Sequence, residues 1–506
     1  MTASALPAGV RLGQPAGRWV VLATVLGSGV AMLDATVVNV ALPALGEELD
    51  ASIAGLQWTV NAYTLTLACF ILLGGALGDR FGRRRVFVVG VVWFAVASAL
   101  CGLAQDVAML VAARALQGIG GALLTPGSLA IIQASFHPDD RARAVGAWSG
   151  LGGVAAAIGP FLGGWLVATA GWRWVFLINI PLAAVVVVVA LRHVPETIDD
   201  EAHGRFDVLG AALAALALAG ITYALTEMPG GRIDAPVIAA GAVGVVAAVV
   251  FGYVERVRSG GRGPRPMLPL ETFRSRQFTA VNAITLVVYG GMSVMFFLLV
   301  LHLQVVAEFS PLAAGTALLP VTAIMLVFSA RAGALAQRIG PRIPMTVGLV
   351  VAAGGMLLVT RIGPGASYVL DVLPAVAVFG LGLSATVAPL TATVLATADP
   401  RHAGVASGIN NAVARAAGLL AVAAVPPAVG LTGDALSRAG VFATGFRTAM
   451  VVSAILLLAG AVASLLTIHD DVLRVCPRES WPQARSQCGV GAPTLEPDRH
   501  PAGVAS

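Results

Sequence analysis

The chain has 506 residues, 58% of them hydrophobic and only 11% charged, with a mean hydropathy of +0.87. Soluble domains carry about a quarter charged residues, so a water-soluble globular protein is excluded. The net charge of +5 does not point to a nucleic-acid partner, because all 31 basic residues are arginine and arginines accumulate in the cytoplasmic loops of membrane proteins.

Crossing a hydrocarbon core of about 30 Å takes roughly 20 apolar residues as a helix. Barrel strands would alternate polar and apolar residues in short stretches, whereas Leu182 to Leu191 is apolar on every side, so helices are implied. Met1 to Arg18 lacks the pattern of a secretory signal, and the first helix is expected to remain in the mature protein. Apolar runs then predict spans near 19–42, 56–77, 86–104, 107–134, 144–169, 172–191, 207–226, 235–254, 277–302, 311–331, 344–361, 369–396, 404–427 and 446–468, fourteen in all. With both termini cytoplasmic, 24 arginines fall inside, 5 outside and 2, Arg114 and Arg415, within the membrane. That asymmetry sets the expected orientation in the bilayer.

The first span carries LDATVVNVALP, Leu33 to Pro43, with Asp34 nine residues before Pro43. The second holds the polar residues Gln57, Asn61 and Tyr63, and the loop after it reads GALGDRFGRRR, with Gly75, Asp79, Arg80, Gly82, Arg83 and Arg84. The fourth span contains RALQGIGGA from Arg114, and the fifth contains GLGGVAAAIGPFLGG with Gly150, Gly159, Pro160, Gly163 and Gly164. GWRWVFLINIP follows at Gly171 to Pro181. Asn282 lies on the ninth span, and Asn410, Asn411 and Arg415 lie on the thirteenth.

A charged side chain at mid-membrane costs at least about 2.5–3.5 kcal/mol, so Asp34 and Arg114 are functional candidates. At 1.5 Å per residue each lies roughly 11–13 Å from the same boundary, at nearly one depth. They form either a permanent ion pair or a pair whose separation lets Asp34 exchange protons. The scattered amides and Tyr63 make interhelical hydrogen bonds or line a substrate cavity. Arg415 meets a substrate anion, pairs with Asp34, or snorkels to water. The fifth-span glycines allow close helix approach, and Pro160 a bend.

GALGDRFGRR at Gly75 to Arg84 recurs as GALAQRIGPR at Gly333 to Arg342, an offset of 333 − 75 = 258 residues. Two related halves follow: 1–192 as an N-terminal six-helix half, 193–268 as two extra helices with a cytoplasmic linker, 269–468 as a C-terminal six-helix half, and 469–506 as a disordered cytoplasmic tail. The four cysteines, Cys69 and Cys101 in spans and Cys476 and Cys488 in the tail, make no disulfide framework or metal cluster. No metal and no cofactor is expected. With no lysine the loop GxxxxGK[ST] cannot form, and no HExxH helix is present, so neither ATP drive nor a zinc enzyme is indicated.

These motifs together resemble the major facilitator superfamily. The Gly75 to Arg85 loop is similar to its signature loop, RALQGIGGA to its buried-arginine motif, and Gly150 to Gly164 to the motif associated with antiporters. Leu33 to Pro43 and Gly171 to Pro181 resemble the fourteen-helix drug:proton antiporters of the EmrB and QacA type. The resemblance implies an all-α fold of 6+2+6 helices in the bacterial inner membrane. It implies a proton-coupled exporter of small amphipathic drugs, antibiotics or secondary metabolites, a conformational latch at the Asp79 loop, proton coupling through Asp34 and Arg114, and a monomer whose partners are lipid, protons and substrate. An importer or uniporter is the alternative, disfavoured by the Gly150 to Gly164 match; an intramembrane enzyme is less favoured.

Overall fold

The computed structural model describes residues 10–198, 207–227, 234–259, 270–397, 403–433 and 435–473. Its helices are α1 (Pro15–Glu48), α2 (Ile53–Phe81), α3 (Arg83–Gly102), α4 (Val107–Ser135), α5 (Pro138–Ala170) and α6 (Arg173–Leu177 continuing as Asn179–His193). Two more follow, α7 (Val208–Glu227) and α8 (Ala235–Ser259). The last six are α9 (Arg276–Val305), α10 (Pro311–Thr316 continuing as Leu319–Ile339), α11 (Arg342–Val359), α12 (Leu373–Ala396), α13 (Ala403–Ala428) and α14 (Ala439–Thr467). All fourteen are long and apolar enough to cross a membrane when the bent α2 is taken as one span, and the described residues contain no sheet.

Helices form here because in lipid every backbone N–H and C=O must be satisfied within its own segment. Polar residues then set the ends. Ser52 accepts from the Gly55 N–H at 3.2 Å to start α2, Asp106 from Met109 at 2.7 Å to start α4, and Ser275 from Phe278 at 3.3 Å to start α9. Several helices outrun the apolar runs that predicted them. The helix α1 passes through Pro43 to Glu48 and α10 continues to Ile339, because the hydrogen-bond ladder does not stop where the hydrocarbon does.

The first six and last six helices repeat one packing scheme. Helix α4 packs on α2 and α3, as α12 does on α10 and α11; α1 packs on α5 and α6, as α9 does on α13 and α14. The two sets meet where this symmetry requires, α1 against α9, α2 against α13 and α5 against α10. The most buried spans are accordingly α1 and α9, at 72% and 67%, which places them at the centre. The pair α7 and α8 pack on each other, and α7 rests on both α2 and α13.

The repeated sequence has a repeated structure. Gly82 (φ +106°) turns α2 into α3, and the Arg84 N–H there donates to Glu196 at 3.0 Å. Gly340 (φ +94°) turns α10 into α11, and the Arg342 N–H donates to Asp470 at 3.3 Å. Both turns need a positive φ and leave no room for a Cβ beside the carboxylate, which is why glycine stands at each. Residues 470–473, at the start of the expected tail, are thus a short 3₁₀ turn docked under α11. The rest of the tail and the stretches 199–206 and 260–269 lie outside the described residues.

Candidate functional site

Within the first six helices Asp34 is fully buried, and three donors converge on it. The Arg114 guanidinium reaches Oδ2 at 2.5 Å, while Gln117 and Asn179 amides reach Oδ1 at 2.8 and 3.1 Å. None of these three contacts presents an acceptor to it. A protonated acid would need an acceptor for its own hydrogen, so the arrangement suits the carboxylate anion.

Further hydrogen bonds hold these donors in place. Arg114 Nε donates to the Thr59 carbonyl at 3.0 Å and its Nη1 to Gln117 Oε1 at 2.6 Å. Ser98 accepts from Gln117 at 3.2 Å and from Asn179 at 3.0 Å, and donates to the Phe176 carbonyl at 2.9 Å. The Arg114 guanidinium lies 4.4 Å from the Tyr63 ring centroid and 5.8 Å from that of Phe176, so its faces are covered by aromatics. Contributions come from α1, α2, α3, α4 and α6, and every polar residue named is nearly or fully inaccessible to solvent. The site is a dry ion pair tying five helices together.

In the last six helices the corresponding region is polar but carries no acid among the described residues. Asn410 on α13 donates to Asn282 at 3.2 Å and to Thr285 at 2.7 Å, both on α9. Arg415 stands at the middle of α13, twelve residues from Ala403 and thirteen from Ala428. It is partly exposed, and its Nε donates to Asn411 at 3.0 Å.

Two seams join the sets on the face opposite the Asp79 loop. Gln57, buried in α2, donates to the Val422 carbonyl of α13 at 2.5 Å. A Cβ at Gly164 of α5 would fall 2.5 Å from the Pro311 carbonyl of α10, and one at Gly315 of α10 would collide with the Pro160 carbonyl of α5. Gly159 and Gly163 similarly press on Thr36 and Val37 of α1. Gly150 lies in α5. Beyond these seams is a hollow of about 810 Å³ lined by Glu47, Asp50, Gln304 and Phe309 among others.

On the Asp79 face, the Asp79 carboxylate accepts from its own neighbour Arg83 at 2.8 and 2.9 Å, and Glu196 faces Arg84 and Arg85 at 3.5 and 3.7 Å. Gly75 packs near Pro126, and Arg80 lies over the Phe81 ring.

Of the residues singled out from sequence, Asp34, Arg114 and Tyr63 come together; Asn410 meets Asn282, Arg415 meets Asn411, and Gln57 belongs to the seam. Asn61 is buried, and its Nδ2 has no hydrogen-bond partner among the described residues. Ser98 was missed because a serine on an apolar span is common, and Asn179 was seen only as part of a motif. Also missed was Glu227, at the last residue of α7, which accepts from the Trp58 indole of α2 at 2.8 Å. At the other end of the α7–α8 pair, burial pushes the Asp207 carboxyl up. The Gly210 N–H, the Arg258 guanidinium and a hydrogen bond with Glu255 outweigh that and hold it below the usual carboxylate range.

Comparison with known proteins gives a consistent picture. The family model described as Major Facilitator Superfamily matches residues 24–423. A probable actinorhodin transporter of Streptomyces coelicolor is 37% identical over 498 residues, covering 95% of this chain and 84% of that protein. A tetracenomycin C resistance and export protein of Streptomyces glaucescens is 34% identical over 409 residues, covering 79% and 74%. Among solved structures, a POT family transporter superposes with a TM-score of 0.66 at 16% identity, covering 88% of this chain and 97% of that one, a likeness of fold alone.

Proposed function

The chain belongs to the major facilitator superfamily, and from that premise we propose that it is a proton-coupled antiporter. It is a multi-pass small-molecule transporter of the bacterial cytoplasmic membrane, and it exports drugs or antibiotics, in line with relatives named for antibiotic transport, export or resistance. The observation that carries proton coupling is Asp34, a carboxylate sealed in a dry network whose one cation is Arg114. Protonation would cancel its attraction to Arg114 and leave its hydrogen facing donors, so proton uptake and rearrangement of the five helices are one event.

The working parts in this reading are the halves 1–192 and 269–468, with the α7–α8 pair as an insertion and a monomer as the functional unit. The repeated packing scheme supports this, as does the fact that one chain supplies both halves. The arginine distribution supports a cytoplasmic Asp79 face. With both seams closed on the opposite face and Asp79 paired to Arg83 of its own turn, the conformation is read as open to the cytoplasm, with the latch disengaged. Asn282, Asn410, Asn411 and Arg415, with Asn61 and Tyr63 opposite and the Gln57 seam closing the far end, line the proposed substrate cavity.

The test is proton movement. Everted vesicles holding the protein and energised to an acidic interior should release protons when a transported antibiotic is added, and an ionophore that collapses the gradient should stop antibiotic uptake. Uptake indifferent to the pH gradient would exclude proton antiport. Asp79→Asn is expected to slow export by about tenfold with substrate KM changed by less than about threefold, because a latch acts on the cycle rather than on binding. Initial rates over a substrate series check this, and a wild-type rate would remove the latch role. Gln337→Asp, in the second copy of the loop, should be tolerated.

A further inference from the structure

Resting on the export reading, we propose that Arg415 is the recognition residue for an anionic head group, and that the preferred substrates are amphipathic monoanions carrying a carboxylate, sulfonate or ionised phenol. A guanidinium has five N–H donors. Here one of them, on Nε, goes to Asn411, and no other protein acceptor for the guanidinium is seen among the described residues. No carboxylate lies within ion-pair distance of it among those residues, although Arg114, the buried arginine of the other half, has Asp34. A mid-membrane cation left without a counter-charge is unfavourable unless something neutralises it, and two parallel N–H groups match the oxygens of a carboxylate or sulfonate.

The surroundings define the remainder of the ligand. Tyr63 is carried by α2 and Tyr289 by α9, two of the helices that α13 packs against, so an aromatic body would lie between the halves beside them. The Gln57 contact to Val422 closes the seam seven residues further along α13, about 10 Å beyond Arg415 at 1.5 Å per residue. A ligand entering from the Asp79 face would meet the arginine before that seal. The charge balance runs the same way. Asp34 and Arg114 neutralise each other, so the net charge offered to a substrate between the halves is that of Arg415, which disfavours dications and favours one negative charge.

The test uses two dyes with the same ring system, 8-anilinonaphthalene-1-sulfonate, an anion, and N-phenyl-1-naphthylamine, which is neutral. Uptake is measured in phosphatidylcholine proteoliposomes with an acidic interior, so that no anionic lipid head group competes. For wild-type protein the sulfonate should have the lower KM. Arg415→Gln should raise the sulfonate KM by about tenfold or more, the scale expected for losing a charge-assisted pair, while changing the neutral dye by less than about threefold. Arg415→Lys should recover part of the loss. Equal effects on both dyes would make Arg415 a packing residue and overturn the proposal, as would no effect on either. Wild-type transport of the neutral dye alone would overturn the anion preference and leave the export reading standing; transport of neither dye would remove both.

Discussion

Replacing Asp34 by asparagine is expected to abolish export driven by a pH gradient, by about a hundredfold or more in initial rate, while substrate counterflow continues. Counterflow cycles the loaded carrier without net proton transfer, so it reads folding and binding separately from coupling. An amide cannot take up the proton, and its NH₂ would face the Arg114, Gln117 and Asn179 donors, which already fill the carboxylate's acceptor positions. The variant also leaves Arg114 buried without its counter-charge, and breaking a buried pair by removing one partner costs about 3–5 kcal/mol. Some loss of thermal stability is therefore expected, and Asp34→Asn combined with Arg114→Gln should lose less than the two single variants summed. Asp34→Glu should keep part of the activity. Wild-type-like gradient-driven export by Asp34→Asn would end the coupling role, and strict additivity of the pair would show that the two residues do not act together.

The second large effect is expected at Gly164. Its Cβ position lies 2.5 Å from the Pro311 carbonyl and 2.7 Å from the Leu312 Cα, both backbone atoms that cannot swing aside. Gly164→Leu should reduce export to background with substrate binding retained, and even Gly164→Ala should cut it severalfold, because overpacking a close interface forces the backbones apart. Gly153 on the same helix supplies the control. Nothing lies within 4 Å of its Cβ position, so Gly153→Ala should export normally. Spin labels on α5 and α10 would report the separation directly. Normal export by Gly164→Leu would refute the requirement for contact.

Much of this was legible in the sequence because a membrane makes burial predictable: an acid and an arginine on apolar runs at one depth have few places to go, and Asp34 does meet Arg114. The 258-residue echo likewise carried real structural information, since both copies turn on a positive-φ glycine beside a carboxylate. What it did not carry was partnership. Gln57 is polar on a span whether it faces substrate or, as here, a carbonyl of α13; a backbone acceptor leaves no mark on the sequence. Glu196 and Asp470 lie beyond the ends of apolar runs, where hydropathy says nothing about what a side chain touches. Trp58 and Glu227 are separated by 169 residues, and only the resting of α7 on α2 brings them together.

The glycine contacts between α5 and α10 sit close to one end of a long lever. Gly164 is 26 residues from Pro138, the other end of α5, and six from Ala170. At 1.5 Å per residue the arms are roughly 40 and 9 Å, so a 10° tilt about this point moves the ends by roughly 7 and 1.5 Å. A fulcrum so placed opens a wide doorway on the Asp79 side and hardly any on the other. Release through the opposite face therefore calls for this fulcrum to be surrendered and another established near the Asp79 turns, so that the axis of rotation migrates along the helices during each cycle.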